Sequence, residues 1–236
     1  SEPNLFAPLL AAALAACTSR IGLVTTIHTS YFHPAHVARY GANLDVLSRG
    51  RWAFNIVTGF TQNERDLFGL EEIPHDERYA MADEFLDVVE KLWRGDDTEH
   101  VGRYYRCRGP IVGPRPVQTP RPLLINAGAS GAGRDFAARH ADWVFMVVAE
   151  AEDARRQIDD VVGRARAAGR TGEIGAMLAA SVVFRDTDEE AAEVERWILD
   201  TLDPGAARAY ATSLYGGIES YRGMAGKDAG DEESFV

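Results

Sequence analysis

The sequence predicts an α/β fold built on a parallel sheet. Apolar runs rich in β-branched residues recur at 21–28, 52–58, 123–127, 143–148 and 177–184. Helical patterns separate most of them, and strands alternating with helices make βα units. The runs are apolar almost throughout, which suits strands covered on both faces.

The elements follow in order. Residues 5–17 are apolar and Ala-rich. They are too short to span a bilayer and lack the basic start of a signal peptide, so a packed helix is expected. After the first strand, residues 34–47 open on Pro34 and carry Val37, Leu44 and Leu47 at helical spacing. After the second strand, 75–92 place Tyr79, Phe85, Leu86, Val89 and Leu92 on one side of a long helix. Residues 95–121 break the rhythm with Arg, Gly, Pro and aromatic residues, and read as an insertion with a small hairpin around 100–107. The third strand stops at Asn126-Ala127-Gly128-Ala129-Ser130-Gly131-Ala132-Gly133, and a helix with Phe136, Ala137 and His140 on one side follows at once. The fourth strand, a helix over 151–168, the fifth strand and a helix over 188–202 complete the pattern. The end, 216–236, is rich in Gly, Asp and Glu and is expected to be a mobile loop or tail.

Five strands leave barrel and open sheet as alternatives. A (β/α)8 barrel needs eight strands and typically about 250 residues. The barrel reading therefore requires strands beyond one or both ends of this sequence. The chain opens without Met, just before a helix with no strand ahead of it. A front piece is expected ahead of Ser1, and 1–236 are expected to form a single domain.

Composition narrows the partners. With 25 basic and 36 acidic residues, the net charge is −11. That disfavours nucleic acid and anionic membranes as partners, though a local basic pocket for a phosphate stays open. Cys17 and Cys107 make neither a metal spacing nor a disulfide framework. A reduced, cytoplasmic setting fits best.

In parallel α/β folds, sites gather at the carboxyl ends of strands. The glycine-rich turn is the strongest candidate. It aims backbone N–H groups at one point, where the following helix dipole is positive, and so forms a phosphate cradle. Its glycines, Gly128, Gly131 and Gly133, do not follow the dinucleotide G-x-G-x-x-G order. Asn55 lies inside the apolar run Ala-Phe-Asn-Ile-Val. Its amide suits the edge of a pyrimidine-like ring, or it is a core Asn bonded to nearby backbone, the reading favoured for an isolated Asn. Arg78 sits near a helix start, where a cation is poorly placed. An anionic partner such as phosphate explains that, and so does a salt bridge to Asp76 or Glu84. His28, His33 and His36 cluster without a zinc spacing. There is no nucleophile elbow, P-loop or H-E-x-x-H, so a bound cofactor would carry the chemistry.

Four pieces, TSRIGLVTTIHTSYFHPAHVAR, LDVLSRGRWAFNIVTGF, HDERYAMADEFLDVVEKLW and INAGASGAGRDFAARHAD, together resemble the bacterial luciferase-like flavin monooxygenases, in that family's order and spacing. The resemblance runs from about Leu5 to Phe184. It is strongest to the branch holding alkanesulfonate, dimethylsulfone, nitrilotriacetate, dibenzothiophene-sulfone and pyrimidine monooxygenases. It implies a TIM-type barrel, with reduced FMN and O2 as co-substrates and a separate reductase that supplies the flavin from NAD(P)H. It implies oxygen insertion, through a flavin peroxide, into a small sulfur- or nitrogen-containing substrate. A homodimer or homotetramer is implied as well.

By the same resemblance Asn55 meets the flavin ring edge and Thr26 lies beside the isoalloxazine. His28 stands where several relatives carry Ser or Thr, and with Thr26 it is a candidate to bond the oxygen species or the substrate. Glu64 matches a flavin-contacting acidic position, and Arg78 and Tyr79 match the pair at the phosphate and ribityl chain. Gly128, Ala129 and Ser130 match the phosphate turn. The family's first strand lies ahead of Ser1, and its closing strands are not recognisable after about Thr201. Two rival readings stay beside this one. One is a deazaflavin-dependent oxidoreductase of the same superfamily. The other is a truncated, non-catalytic paralogue.

Overall fold

The structure is a computed structural model that describes residues 5–59, 62–95, 98–110, 113–148, 151–180, 182–207 and 209, without the side chains of 62–64. The expected tail at 216–236 lies outside the described residues. Two compact units divide the chain: Ser1–Gly59 with Glu71–Leu178, and Phe60–Leu70 with Ala179–Val236.

The first unit holds α1 (Ala7–Cys17), β1 (Leu23–His28), α2 (Pro34–Ser48) and β2 (Trp52–Val57). The second unit contributes α3 (Gln62–Phe68), and the chain then returns to the first with α4 (His75–Arg94). A hairpin of β3 (Glu99–Val101) and β4 (Arg106–Arg108) follows. Next come β5 (Leu123–Asn126), α5 (Gly131–His140), β6 (Trp143–Met146), α6 (Ala151–Ala167) and β7 (Gly175–Leu178). The last described helix, α7 (Asp188–Thr201), belongs to the second unit.

The main sheet is all parallel, in the order β1-β2-β5-β6-β7. The order never reverses, unlike the switch point of a doubly wound sheet. Right-handed crossovers between strands that advance in one direction put every connecting helix on the same face. The helix contacts agree: α1 packs on α2, α2 on α4, α4 on α5 and α5 on α6. This is the wall of a β/α barrel, one row of strands inside one row of helices.

Alternation along each strand sorts the side chains. Ile27, Trp52, Phe54, Ile56, Leu124, Val144 and Met146 join the core against the helices. Trp52 stacks on Phe54, and Trp93 of α4 meets both rings edge-on. The opposite face carries Val24, Thr26, His28, Asn55, Leu123, Trp143 and Met177 by register. It is largely apolar, yet Val24 is 50% and Trp143 40% exposed in this chain.

Local signals explain most boundaries. His33 caps α2 by accepting from Ala35 N, and Arg49 ends the helix in the left-handed region. Gly95, at φ 78°, ends α4. The hairpin falls inside the expected insertion. The fifth strand differs from expectation: it begins at Gly175 and stops at Leu178, while Val182 and Phe184 are each 81% exposed. The Trp143 ring lies over Gly175, where a Cβ would come within 2.5 Å of it. That close approach selects glycine opposite Trp143 and sets the register, which an apolar run alone does not encode.

In the second unit, Thr187 caps α7 by accepting from Glu190 N at 3.2 Å. None of the α7 residues is buried. Among the described residues, no helix is long and apolar enough to cross a membrane.

Candidate functional site

The glycine-rich turn between β5 and α5 is held by a residue from the strand itself. Asn126, 2% exposed, donates to Ile56 O at 2.9 Å and accepts from Gly128 N at 2.9 Å. One amide thus ties the turn to β2 and folds it back. The three glycines then divide the work. A Cβ on Gly128 would lie 2.7 Å from Tyr79 Oη and 2.8 Å from the Gly133 Cα, and one on Gly133 would meet the same hydroxyl and the Gly128 Cα. These two glycines let turn, helix start and tyrosine close on one another. Gly131 is different, because a Cβ there would meet nothing within 4 Å. The open space lies at the first turn of α5, whose leading N–H groups have no partner inside the helix.

Ser130 caps α5, its Oγ accepting from Gly133 N at 3.1 Å. The same Oγ lies 3.3 Å from His75 Nε2, at the first residue of α4. The starts of two helices therefore meet at Ser130, and both dipoles present positive ends there. His75 Nδ1 faces Asp76 Oδ1 at 2.9 Å. Tyr79, one turn further along α4, hydrogen-bonds the side chains of Ser130 and Thr58, and burial raises its pKa above the ordinary tyrosine value. It is a neutral phenol bracing the turn.

Arg78 makes neither of the salt bridges that its sequence neighbours suggest. Asp76 faces His75, and Glu84 faces His100. Instead Arg78 Nη1 donates to Gly59 O at 2.8 Å, and its buried Nε has no partner. A buried guanidinium N–H without an acceptor is costly, and an anion at the adjacent helix starts would satisfy it.

A second polar pair lies on the inner face of the sheet. Asn55 and Thr26 are register partners, and Asn55 Nδ2 donates to Thr26 Oγ1 at 3.3 Å. Asn55 Oδ1 is buried without a partner. The backbone-bonded core Asn expected of an isolated residue is therefore not what the fold builds. That leaves an amide oxygen able to accept from an N–H. Asn55 pairs with Ile125, one residue before Asn126, so this edge sits one strand from the glycine turn. His28 follows Thr26 on the same face and stacks on Tyr31 at 4.9 Å between ring centroids.

Of the remaining candidates, Ala129 is an exposed member of the turn, and Glu64 lies on α3 with its side chain outside the described residues. His33 and His36 are exposed, and His33 serves as the α2 cap. No metal-holding group of His, Cys, Asp and Glu occurs among the described residues. His75 and Asn126 are the additions that the structure makes. His75 stands four residues before Tyr79, so a helix puts both on one face; that spacing was the available signal.

Fold and site define a barrel-type α/β protein with a glycine-rich turn and two helix starts meeting at the carboxyl end of β5. The chain belongs to the luciferase-like monooxygenase family, whose profile matches residues 2–234. It is 33% identical over 202 residues to the FMNH(2)-dependent dimethylsulfone monooxygenase of Pseudomonas putida, covering 86% of this chain and 55% of that protein. It is 34% identical to nitrilotriacetate monooxygenase component A of Aminobacter aminovorans, over 89% and 51% of the two chains. The solved structure of a riboflavin lyase with modified FMN and riboflavin superposes with a TM-score of 0.84 at 34% identity, over 91% of this chain and 53% of that one. The chain thus spans about half the length of the relatives it matches.

Proposed function

We propose that this chain carries the flavin site of an FMNH2-dependent monooxygenase of a two-component system. The substrate class is a small sulfur- or nitrogen-containing organic molecule. A separate reductase supplies the reduced flavin from NAD(P)H, and the setting is the cytoplasm, as a homodimer or homotetramer. The observation that carries this reading is the meeting of two helix starts at Ser130, with the unsatisfied Nε of Arg78 on the first turn of α4.

The FMN phosphate is assigned to Ser130, Arg78, His75 and the amides of Ala129 and Gly131, with Gly128, its own amide held by Asn126, shaping the turn and Tyr79 beside the ribityl chain. Asn55 Oδ1 and Thr26 hold the ring edge, and Glu64 remains a further candidate contact. Reduced flavin, when bound, supplies the electrons that activate O2. The protein's part is to hold and to shield. Asn55 fixes the ring in its plane, and the apolar face of Ile125 and Trp143 keeps water off it. Thr26 Oγ1 and the His28 imidazole are the groups placed to bond oxygen or substrate.

The test is oxygen consumption with FMN, NAD(P)H and a flavin reductase across sulfones, sulfonates, uracil and aminopolycarboxylates. Consumption coupled to an oxygenated product supports the assignment. Turnover with a reduced deazaflavin and none with FMNH2 would replace it with the deazaflavin reading. Flavin binding without product from any substrate would favour a non-catalytic chain.

A further inference from the structure

The insertion between α4 and β5 contributes none of the residues of the site described above. Its hairpin turn folds over Glu84 of α4. The Glu84 carboxylate accepts from the backbone N–H of Arg103 at 3.0 Å, Tyr104 at 3.1 Å and Tyr105 at 2.8 Å, and lies 3.0 Å from His100 Nε2. Three successive amides converging on one carboxylate form a backbone nest occupied by a side chain. Gly102 lets the turn close on the carboxylate, since a Cβ there would meet Glu84 Oε1. The nest sets the direction of Tyr105, which is only 6% exposed. Its ring stands edge-on to Phe85 at 5.8 Å and to His33 at 5.7 Å.

The Tyr105 hydroxyl donates to Thr29 O at 3.2 Å. Thr29 follows His28 at the end of β1, and its N–H donates to Val57 O at 3.0 Å. Ser30 Oγ donates to Thr58 O at 2.9 Å, and Tyr31 N donates to His28 O at 3.1 Å, closing a turn. The turn over 28–31 is thus held by β2 on one side and by the insertion on the other. It carries the stacked His28 and Tyr31 rings, which are tilted by 11°.

We propose that Tyr105, set by Glu84, is a positioning residue for the candidate site. Its hydroxyl fixes the 28–31 turn and so the orientation of the His28–Tyr31 ring pair above Thr26 and Asn55. The consequence for a bound ring rests on the flavin reading. The positioning itself is readable in the protein without cofactor.

The experiment compares the histidine imidazole NMR signals of wild type, Tyr105→Phe, Glu84→Gln and the double variant, with His28 assigned through His28→Gln. Tyr105→Phe keeps the ring and removes one neutral hydrogen bond, which holds the turn against opening by about fivefold. The His28 signals are expected to shift and broaden, while those of His75 and His140 stay in place. Glu84→Gln is expected to give the same His28 change, and the double variant no more than either single one, as for two residues in one chain of contacts. FMN affinity stays within about fivefold in Tyr105→Phe, because the phosphate contacts are untouched, while the bound-flavin absorption band moves. A folded Tyr105→Phe whose His28 signals superimpose on wild type overturns the proposal, even if Glu84→Gln fails to fold. Additive effects of the two substitutions overturn the link to Glu84. If wild type binds no FMN, the flavin reading falls while the His28 comparison still decides the positioning role.

Discussion

Gly133→Ala should destabilise the protein, although it places a better helix former in the first turn of α5. In a helix interior, replacing Gly by Ala gains about 0.5–1 kcal/mol. At this position the new Cβ would lie 2.7 Å from Tyr79 Oη, 2.8 Å from Gly128 Cα and 2.9 Å from Gly128 C. Two of those three atoms are backbone, so the strain cannot be relieved by turning a flexible side chain. Overpacking of this kind costs about 1–3 kcal/mol, leaving a net loss of roughly 1–2 kcal/mol. For a chain of this size that lowers Tm by about 2–8 °C. FMN affinity should fall as well, because the displaced atoms are the cradle. Gly131→Ala is the internal control, since its Cβ meets nothing within 4 Å. Thermal unfolding by circular dichroism, run on both variants with and without FMN, separates them. Equal Tm values for Gly133→Ala and Gly131→Ala would refute the claim that the glycines differ by close approach.

Three further outcomes follow from the same contacts. Asn126→Ala leaves a buried carbonyl and a turn amide unpaired, and should cost about 2–6 kcal/mol in chemical denaturation, at roughly 1–3 kcal/mol per orphaned group. Arg78→Lys keeps the charge but not the fork that reaches Gly59 O and leaves Nε for an anion, so fluorescence titration should show FMN affinity reduced by about tenfold. Burial pushes the Glu84 carboxyl up, but His100 and the Tyr105 and Tyr104 amides outweigh it, and its pKa lies below the ordinary value. Its stabilising contribution is therefore complete above the unfolded glutamate pKa and is lost as pH falls through the lower folded value. Acid unfolding of Glu84→Gln should accordingly show a shallower fall over that range than wild type.

The sequence was legible where a signal is local. Apolar runs located the strands, and Pro34, Ser130 and Gly95 mark helix ends that depend only on adjacent backbone. The fifth strand was misplaced because its register depends on Trp143 lying over Gly175, 32 positions away. The short helix α3, QNERDLF, carries too few apolar residues to show a period. At the site, residue types were legible but partners were not. Asn55 and Arg78 each left two readings open; the structure makes neither the backbone-bonded Asn nor the Asp76 or Glu84 salt bridge, and leaves Oδ1 and Nε without partners. The parts played by His75 and Asn126 rest on partners 55 and 70 residues away in sequence, and no local pattern reports such distances.

The central claim is that two helix starts, Ser130 and Arg78 hold the phosphate of a flavin. Comparing the affinities of FMN and riboflavin tests it most directly, because the two ligands differ only by that phosphate. The account predicts that wild type prefers FMN by about a hundredfold, as two charge-assisted contacts would give. It also predicts that the preference collapses in the Arg78→Ala, Ser130→Ala double variant, while riboflavin affinity is unchanged. Equal binding of FMN and riboflavin to wild type would contradict it.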